Sequence, residues 1–359
     1  MGMPESASRV LPSAAVVFHP GKAGLVAVRR AIARAEHLSG WSPTRWYETD
    51  AADGGVSAAT RALADGASVV FAAGGDGTVR AVSHALRRSG VPLAVVPLGT
   101  GNILARNLGI PLGDPEAVAR AGFHGINRTI DLGVVSIVRS DETVDRHAFL
   151  VLAGMGLDAR AISATRATLK RRLGWLAYVD AGIRTMMRDG PLRVHSSIDG
   201  SPSRPLSVYT VMIGNCGMMP GGVLLIPDAR VDDGRLDLVA LRPLGAFSWL
   251  RIWNRLGWEN GVLRRSRAAR RTIDLARDTQ HVTYVQAKQF ALSVDRPEPV
   301  QLDGDDLGLA VAVTGSVDPG SLMVRVMPGW KEPVQSSASG LPSRTPRNQS
   351  LASRNTSSP

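Results

Sequence analysis

Gly74-Gly75-Asp76-Gly77-Thr78 sets three glycines, a carboxylate and a hydroxyl directly after the apolar run Val69-Val70-Phe71-Ala72-Ala73. A turn of this composition can cradle phosphate. Glycine reaches positive φ and lets a ligand approach the main chain. The residues that follow, Val79 to Arg88, have helical periodicity and offer a helix N-terminus to an anion. Gly74, Gly75, Asp76, Gly77, Thr78, Val79 and Arg80 are therefore candidate nucleotide-binding residues. Asp76 stands apart in this set, because a carboxylate beside phosphates is repelled unless a Mg²⁺ ion lies between them. Its spacing predicts a metal-linked role, and capping of the helix that begins near Thr78 is compatible with it.

The device recurs. Leu93 to Leu98 reads as a strand, Gly99-Thr100-Gly101-Asn102 as a turn and Ile103 to Leu108 as a helix start, which adds Thr100 to the phosphate-binding set. Two such units outweigh one, because a polyphosphate needs backbone N–H groups converging from several loops. A third unit precedes both: strand Ala14 to Phe18, break His19-Pro20-Gly21-Lys22-Ala23-Gly24, helix Leu25 to Leu38. None matches GxxxxGK[ST], and the Asp76 turn lacks the last glycine of GxGxxG, so neither a Walker A loop nor a dinucleotide fingerprint is present.

The elements that must position these turns follow from the pattern. Residues 1–12 read as a flexible lead. Residues 13–133 alternate strand and helix, the signature of a mostly parallel α/β sheet whose ligand sits at the carboxyl ends of the strands. Residues 134–330 show short strand-like runs, among them His147–Ala153, Leu206–Gly214, Gln289–Val294 and Val300–Leu302. These predict a mainly antiparallel, sandwich-like second domain. Two helical stretches interrupt it, about Ile162 to Arg188 and about Ala246 to Arg271. Both mix basic residues with Trp or Tyr, and the second could serve as an interfacial helix or pack on the core. Residues 331–359, rich in Ser, Pro and Arg and without an acid from about residue 334 onward, read as disordered.

Composition narrows the partners. Lys and Arg number 42 against 31 Asp and Glu, a net charge of +11 that predicts an acidic partner: nucleic acid, an anionic membrane or a phosphorylated ligand. No nucleic-acid motif accompanies the charge. The single cysteine, Cys216, excludes an intrachain disulfide and reads as a buried strand end. No apolar run approaches the ~20 residues that span a bilayer, so a cytoplasmic protein is expected.

Four motifs taken in order carry a family resemblance: Gly74-Gly75-Asp76-Gly77-Thr78, Pro97 to Asn102, Pro227 to Asp237, and Gln301-Leu302-Asp303-Gly304-Asp305. Together they resemble the diacylglycerol kinase catalytic-domain family, soluble bacterial lipid kinases similar to sphingosine kinases, over roughly residues 13 to 330. The first motif alone is shared with NAD kinases and resembles the phosphofructokinase nucleotide loop. The resemblance implies an α/β nucleotide-binding domain of phosphofructokinase and NAD-kinase type and a β-sandwich lipid domain with the site between them. It further implies ATP and Mg²⁺ as cofactors, a lipid hydroxyl (diacylglycerol by default) as acceptor, and transient contact with the inner face of the membrane. A homodimer is possible on this reading.

By the same resemblance His19, Pro20, Gly21 and Lys22 close the nucleotide side, and Thr49 contacts the nucleotide. Asp305 accepts the acceptor's proton, with Asp303 its alternative or helper. Asp233, with the backbone carbonyls of Arg230 and Arg235, would hold a structural Mg²⁺, although an Asp-Gly turn has the same sequence. Two residues depart from the family pattern. His19 stands where it has Asn, and Arg80 stands where it commonly has Asn; a guanidinium there can bind phosphate or extend into solvent. A kinase of a soluble acceptor such as NAD predicts an Asn-Glu pair, and no Asn-Glu dipeptide occurs. A catalytically silent nucleotide- or membrane-binding module would tolerate loss of the acids at 303 and 305, and both are present.

Overall fold

The computed structural model describes residues 11–156, 190–219, 223–224, 226, 229–242 and 282–329. The two basic and aromatic stretches, the pair Gly221-Gly222 and the C-terminal tail lie outside the described residues.

The first unit is a three-layer α/β/α arrangement. Strands β1 (Ser13–Phe18), β2 (Ser42–Glu48), β3 (Val69–Gly74) and β4 (Leu93–Pro97) run parallel in the order β4-β3-β1-β2. β1 and β3 are buried almost throughout, as expected for strands covered on both faces, whereas β2 lies at the sheet edge and alternates in exposure. Alternate residues feed two cores. Ala15, Val17, Val70, Ala72 and Val95 pack with helices α2 (Val56–Ala64) and α3 (Asp76–Leu86). Ala14, Val16, Phe71, Ala73 and Val96 pack with α1 (Leu25–Ser39) and α5 (Pro115–His124). α3 is helical because Val79, Val82, Ser83 and Leu86 bury one stripe at i, i+3, i+4 and i+7. A one-turn helix, α4 (Ile103–Asn107), follows the second glycine turn.

The second unit is antiparallel. It comprises β5 (Ile126–Val138), β6 (Val144–Phe149), β7 (Leu152–Met155), β8 (Leu192–Ile198), β9 (Arg204–Val208), β10 (Thr210–Gly214), β11 (Met218–Met219), β12 (Val223–Leu224), β13 (Leu236–Leu241), β14 (Val282–Ala287), β15 (Gln289–Leu302) and β16 (Asp305–Val326). Its core gathers Phe149, Met155, Val194, Ile213, Leu236, Phe290, Leu292 and Leu302. β16 pairs with β15 and β5 in this unit, then meets β4 in parallel at Val324 and Leu93, so one sheet runs through both units.

Three strand boundaries differ from the sequence reading, each for a physical reason. The run His147–Ala153 breaks into β6 and β7 because the Asp303 carboxylate takes the amides of Leu150, Val151 and Leu152. Leu206–Gly214 breaks at Tyr209, whose N–H turns to Leu241 O. Gln289–Val294 and Val300–Leu302 are one strand, β15, whose pairing with β16 shifts register between Ser293 and Glu298 and again between Pro299 and Gln301.

Candidate active site

The carboxyl ends of the four parallel strands lie level. Phe18 pairs with Glu48 and with Ala73, and Gly74 pairs with Pro97. The main chain carries this alignment into the loops: His19 N–H donates to Ala73 O at 3.1 Å, Leu98 N–H to Gly74 O at 2.9 Å and Thr49 N–H to Phe18 O at 3.0 Å. The three glycine turns therefore open on one edge, where open α/β sheets bind ligands.

Two of these turns touch without side chains between them. A Cβ on Gly99 would stand 2.6 Å from the Cα of Gly75, so position 99 requires glycine for space. Asp76 locks the contact. Its Oδ2 accepts the Asn102 N–H at 2.9 Å and its Oδ1 accepts the Ile103 N–H at 2.6 Å. A Cβ on Gly101 would meet that Oδ2 at 2.6 Å. Asn102, at φ 46°, closes its own turn by accepting the Gly99 N–H and donating to Gly99 O, at 2.8 and 2.7 Å. Asp76 thus caps the next helix, α4, and commits both carboxylate oxygens to the amides of the neighbouring loop.

α3 begins after Gly75 with no side-chain cap, so its first-turn amides face the same edge as the loops. Lys22 supplies charge there, its Nζ 3.6 Å from where a Cβ on Gly75 would stand. His19 closes its own loop, Nδ1 accepting the Gly21 N–H at 3.1 Å. Pro20 and Thr100 are exposed at the rim. Thr49 sits farther out, at the end of β2, with its methyl against Gly55. Thr78 folds back over Gly74 and is buried, which leaves its backbone rather than its hydroxyl toward the edge. Val79 corrects the sequence reading: its side chain is in the core and its N–H donates to Gly75 O at 3.0 Å, so it has no donor to offer a nucleotide.

The second unit reaches this edge through the β15–β16 hairpin. Leu302 pairs with Asp305 across the two-residue turn Asp303-Gly304, which has φ of 51° and 93°, the left-handed turn that Asp-Gly favours. Asp303 is buried. Its Oδ2 accepts the Leu150 N–H at 2.9 Å, and its Oδ1 accepts the N–H groups of Val151 and Leu152 at 2.8 and 3.0 Å. Burial raises its pKa, against the pull of the three amides. A carboxylate enclosed in this way anchors the hairpin and is not a proton acceptor for a substrate, which corrects its reading as the alternative base. Asp305 is different: its side chain is 51% exposed, and its Oδ2 lies 3.6 Å from where a Cβ on Gly77 would stand. It also forms an ion pair with the Nη2 of Arg80. Motifs 225 residues apart are thereby joined at the N-terminus of α3.

The described part of the Pro227–Asp237 motif, residues 229–237, contains a tight turn at Asp233-Gly234. Asp233 Oδ1 accepts the Arg235 N–H at 3.0 Å, and Asp232 pairs with Arg128 at 2.5 Å. The acid that organises this loop is Asp131, whose only signal in the sequence is a lone carboxylate within Ile130-Asp131-Leu132. It is buried on β5, accepting the N–H of Gly234 on Oδ2 and of Gly320 on Oδ1, both at 2.7 Å. These bonds satisfy the turn through side chains, and among the described residues no three His, Cys, Asp or Glu gather as a metal site. The loop has the form of an Asp-Gly turn, with Gly234 at φ 70°. Cys216 is buried and its pKa pushed up by burial, as a packed thiol requires.

Residues 14–135 match the family model of the diacylglycerol kinase catalytic domain. Residues 151–270 match that of the YegS C-terminal NAD kinase beta sandwich-like domain. A probable lipid kinase YegS-like protein of Pseudomonas aeruginosa (strain UCBPP-PA14) is 33% identical over 325 residues, 88% of this chain and 94% of that protein. The chain belongs to the diacylglycerol kinase catalytic-domain family. Within this family, the diacylglycerol kinase of Bacillus subtilis (strain 168) is 28% identical over 269 residues, 74% of this chain and 80% of that protein. The fold agrees with the crystal structure of a putative diacylglycerol kinase from Bacillus anthracis str. Sterne, at a TM-score of 0.67 and 20% identity, covering 92% of this chain and 100% of that one. Membership of a kinase family implies ATP as the phosphoryl donor. No described helix is long and apolar enough to cross a membrane.

Proposed function

We propose that this protein transfers the γ-phosphate of ATP to a lipid hydroxyl, with diacylglycerol as acceptor and phosphatidic acid as product. One observation supports this above the others: Asp305, from the second unit, stands over the N-terminus of α3, beside the glycine loops of the first. Phosphoryl transfer is largely a matter of positioning and of offsetting charge. On this reading the loops after β1, β3 and β4 and the amides of α3 hold the phosphates, with Lys22 offsetting their charge. Magnesium, bound together with ATP, would supply the further positive charge that phosphoryl transfer requires. Asp305 takes the proton of the lipid hydroxyl as its oxygen bonds to the γ-phosphorus and the bond to ADP breaks. Diacylglycerol is favoured because relatives of this chain carry that name, in Bacillus subtilis and in Mycobacterium tuberculosis (strain CDC 1551 / Oshkosh).

Reaching such an acceptor requires contact with a membrane surface, which the net charge of +11 favours where the surface is anionic. The test is transfer of labelled γ-phosphate from Mg·ATP into diacylglycerol, a sphingoid base and NAD, each presented separately, with the lipids in mixed micelles and Asp305→Asn as blank. Label in diacylglycerol that is absent from the blank supports the proposal. Label in the sphingoid base alone would change the lipid, and label in NAD alone would overturn lipid phosphorylation.

A further inference from the structure

We propose that Arg80 is a positioning residue for the acceptor side of the reaction: its guanidinium holds the Asp305 carboxylate at the mouth of the phosphate cradle. This rests on the lipid-kinase reading and adds a residue and a role to it. Arg80 lies on α3 one turn after Asp76, and helical side chains lean toward the N-terminus, so its guanidinium projects back toward the first-turn amides. There it meets Asp305. The Arg80 side chain is 20% exposed and that of Asp305 is 51% exposed, so the arginine is the better fixed of the two.

The hairpin explains why Asp305 needs such a partner. Asp303 anchors its turn through three amides, which fixes the backbone but not the neighbouring carboxylate. A carboxylate at the cradle faces phosphate charge of its own sign, which repels it. A permanent cation beside the carboxylate opposes its expulsion, and an arginine stays protonated throughout the accessible pH range. The neighbouring histidines do not replace it. The pKa values of His84 and His147 are pushed down, first by burial and then by nearby arginines, Arg80 among them, so both are neutral near pH 7. Arg87 is engaged elsewhere, paired with Asp318. Asparagine at position 80 would be too short to reach as Arg80 does.

A direct phosphate contact by the guanidinium is the competing role; the Nε of Arg80, buried without a hydrogen-bond partner among the described residues, is closed to it. The experiment separates the two roles. Arg80→Asn and Arg80→Lys are prepared in the full chain, alone and with Asp305→Asn, after thermal melts show that each folds. Turnover with Mg·ATP and lipid, and ATP affinity by calorimetry, are then measured for each. Positioning predicts that Arg80→Asn lowers kcat by about tenfold or more while the Kd for ATP changes less than about twofold. It also predicts partial recovery in Arg80→Lys and no further loss of residual turnover when Arg80→Asn is added to Asp305→Asn.

Hydrogen–deuterium exchange over residues 302–307 supplies a readout that needs no substrate. Arg80→Asn and Asp305→Asn should each speed exchange there, and the double variant should be no faster than either. A kcat within about twofold of wild type would overturn the proposal, as would a tenfold weaker Kd for ATP at unchanged kcat, or unchanged hairpin exchange. If the wild-type protein phosphorylates no lipid, the lipid-kinase reading fails, and the exchange measurement still decides whether Arg80 holds Asp305.

Discussion

Replacing Asp76 by asparagine keeps the side chain's size and removes its charge, which tests the joint between the two glycine loops. Asp76 accepts two backbone N–H bonds from the second loop, at 2.9 and 2.6 Å, one on each oxygen. Asparagine keeps one acceptor and turns an NH₂ group toward the other N–H, so one bond is lost and two donors face each other. Hydrogen bonds to charged groups contribute about 1.5–3 kcal/mol each. The expected loss is about 2–4 kcal/mol, because the bond that survives is also weakened by loss of charge. A kcal/mol shifts the midpoint by about 2–4 °C for 150–250 residues and by less for 359, so the midpoint of thermal unfolding should fall by a few degrees. The assay is a melt of the full chain in EDTA without nucleotide, followed by calorimetric titration with Mg·ATP. A loop clamp predicts destabilisation in EDTA together with weakened ATP binding. If Asp76→Asn melts with wild type in EDTA but binds Mg·ATP poorly, the carboxylate serves a metal ion and the clamp argument is wrong.

Gly99→Ala should separate the loops by steric means, since its Cβ would stand 2.6 Å from the Gly75 Cα; we expect ATP affinity at least about tenfold weaker and a stability loss of about 1–3 kcal/mol, read by titration and melt. Asp303→Asn weakens the anchor on three amides and should cost about 2–4 kcal/mol in stability while lowering turnover, because Asp305 loses its fixed neighbour. Asp318→Asn should change the acid limb of stability. Burial alone would raise the pKa of Asp318, but Arg88 and Arg87 hold it below its ordinary value of 3.8. A depressed folded pKa stabilises the fold above the unfolded pKa, and this stability is lost as pH falls through the folded value. Urea unfolding should therefore show the variant less stable at pH 7 and its deficit shrinking below about pH 4; a deficit that does not vary with pH would contradict the ion-pair origin.

Much of the site was legible because its chemistry depends on local spacing. The strand-turn-helix units after Phe18, Gly74 and Leu98 declare themselves through β-branched runs that end in glycine, and these predict which edge of the sheet binds phosphate. What the pattern could not show is which partners the acids choose. Asp76 and Asp303 have the residue type of catalytic groups, yet their oxygens meet amides contributed by segments 26 and about 150 residues away in the chain. No window of sequence contains both ends of such a bond. The break between β6 and β7 was hidden for the same reason: His147 to Ala153 is apolar enough to continue as a strand, and a distant carboxylate interrupts it. Arg80 is the converse case. Its position was evident and its two readings were phosphate or solvent, while the structure pairs it with an acid from the last hairpin.

The course of β16 bears on how the protein is made. Leu322, Val324 and Val326 complete the core that also holds Ala15, Val17, Val70 and Ala72, and Val324 pairs with Leu93 on β4. A ribosome that has released the glycine loops and their helices has therefore not yet released the strand that covers β4. Until it does, the emerging nucleotide unit presents an open parallel edge, the kind of surface through which nascent chains associate wrongly. The phosphate cradle and the acid that faces it thus become complete together, when the last strand is laid down.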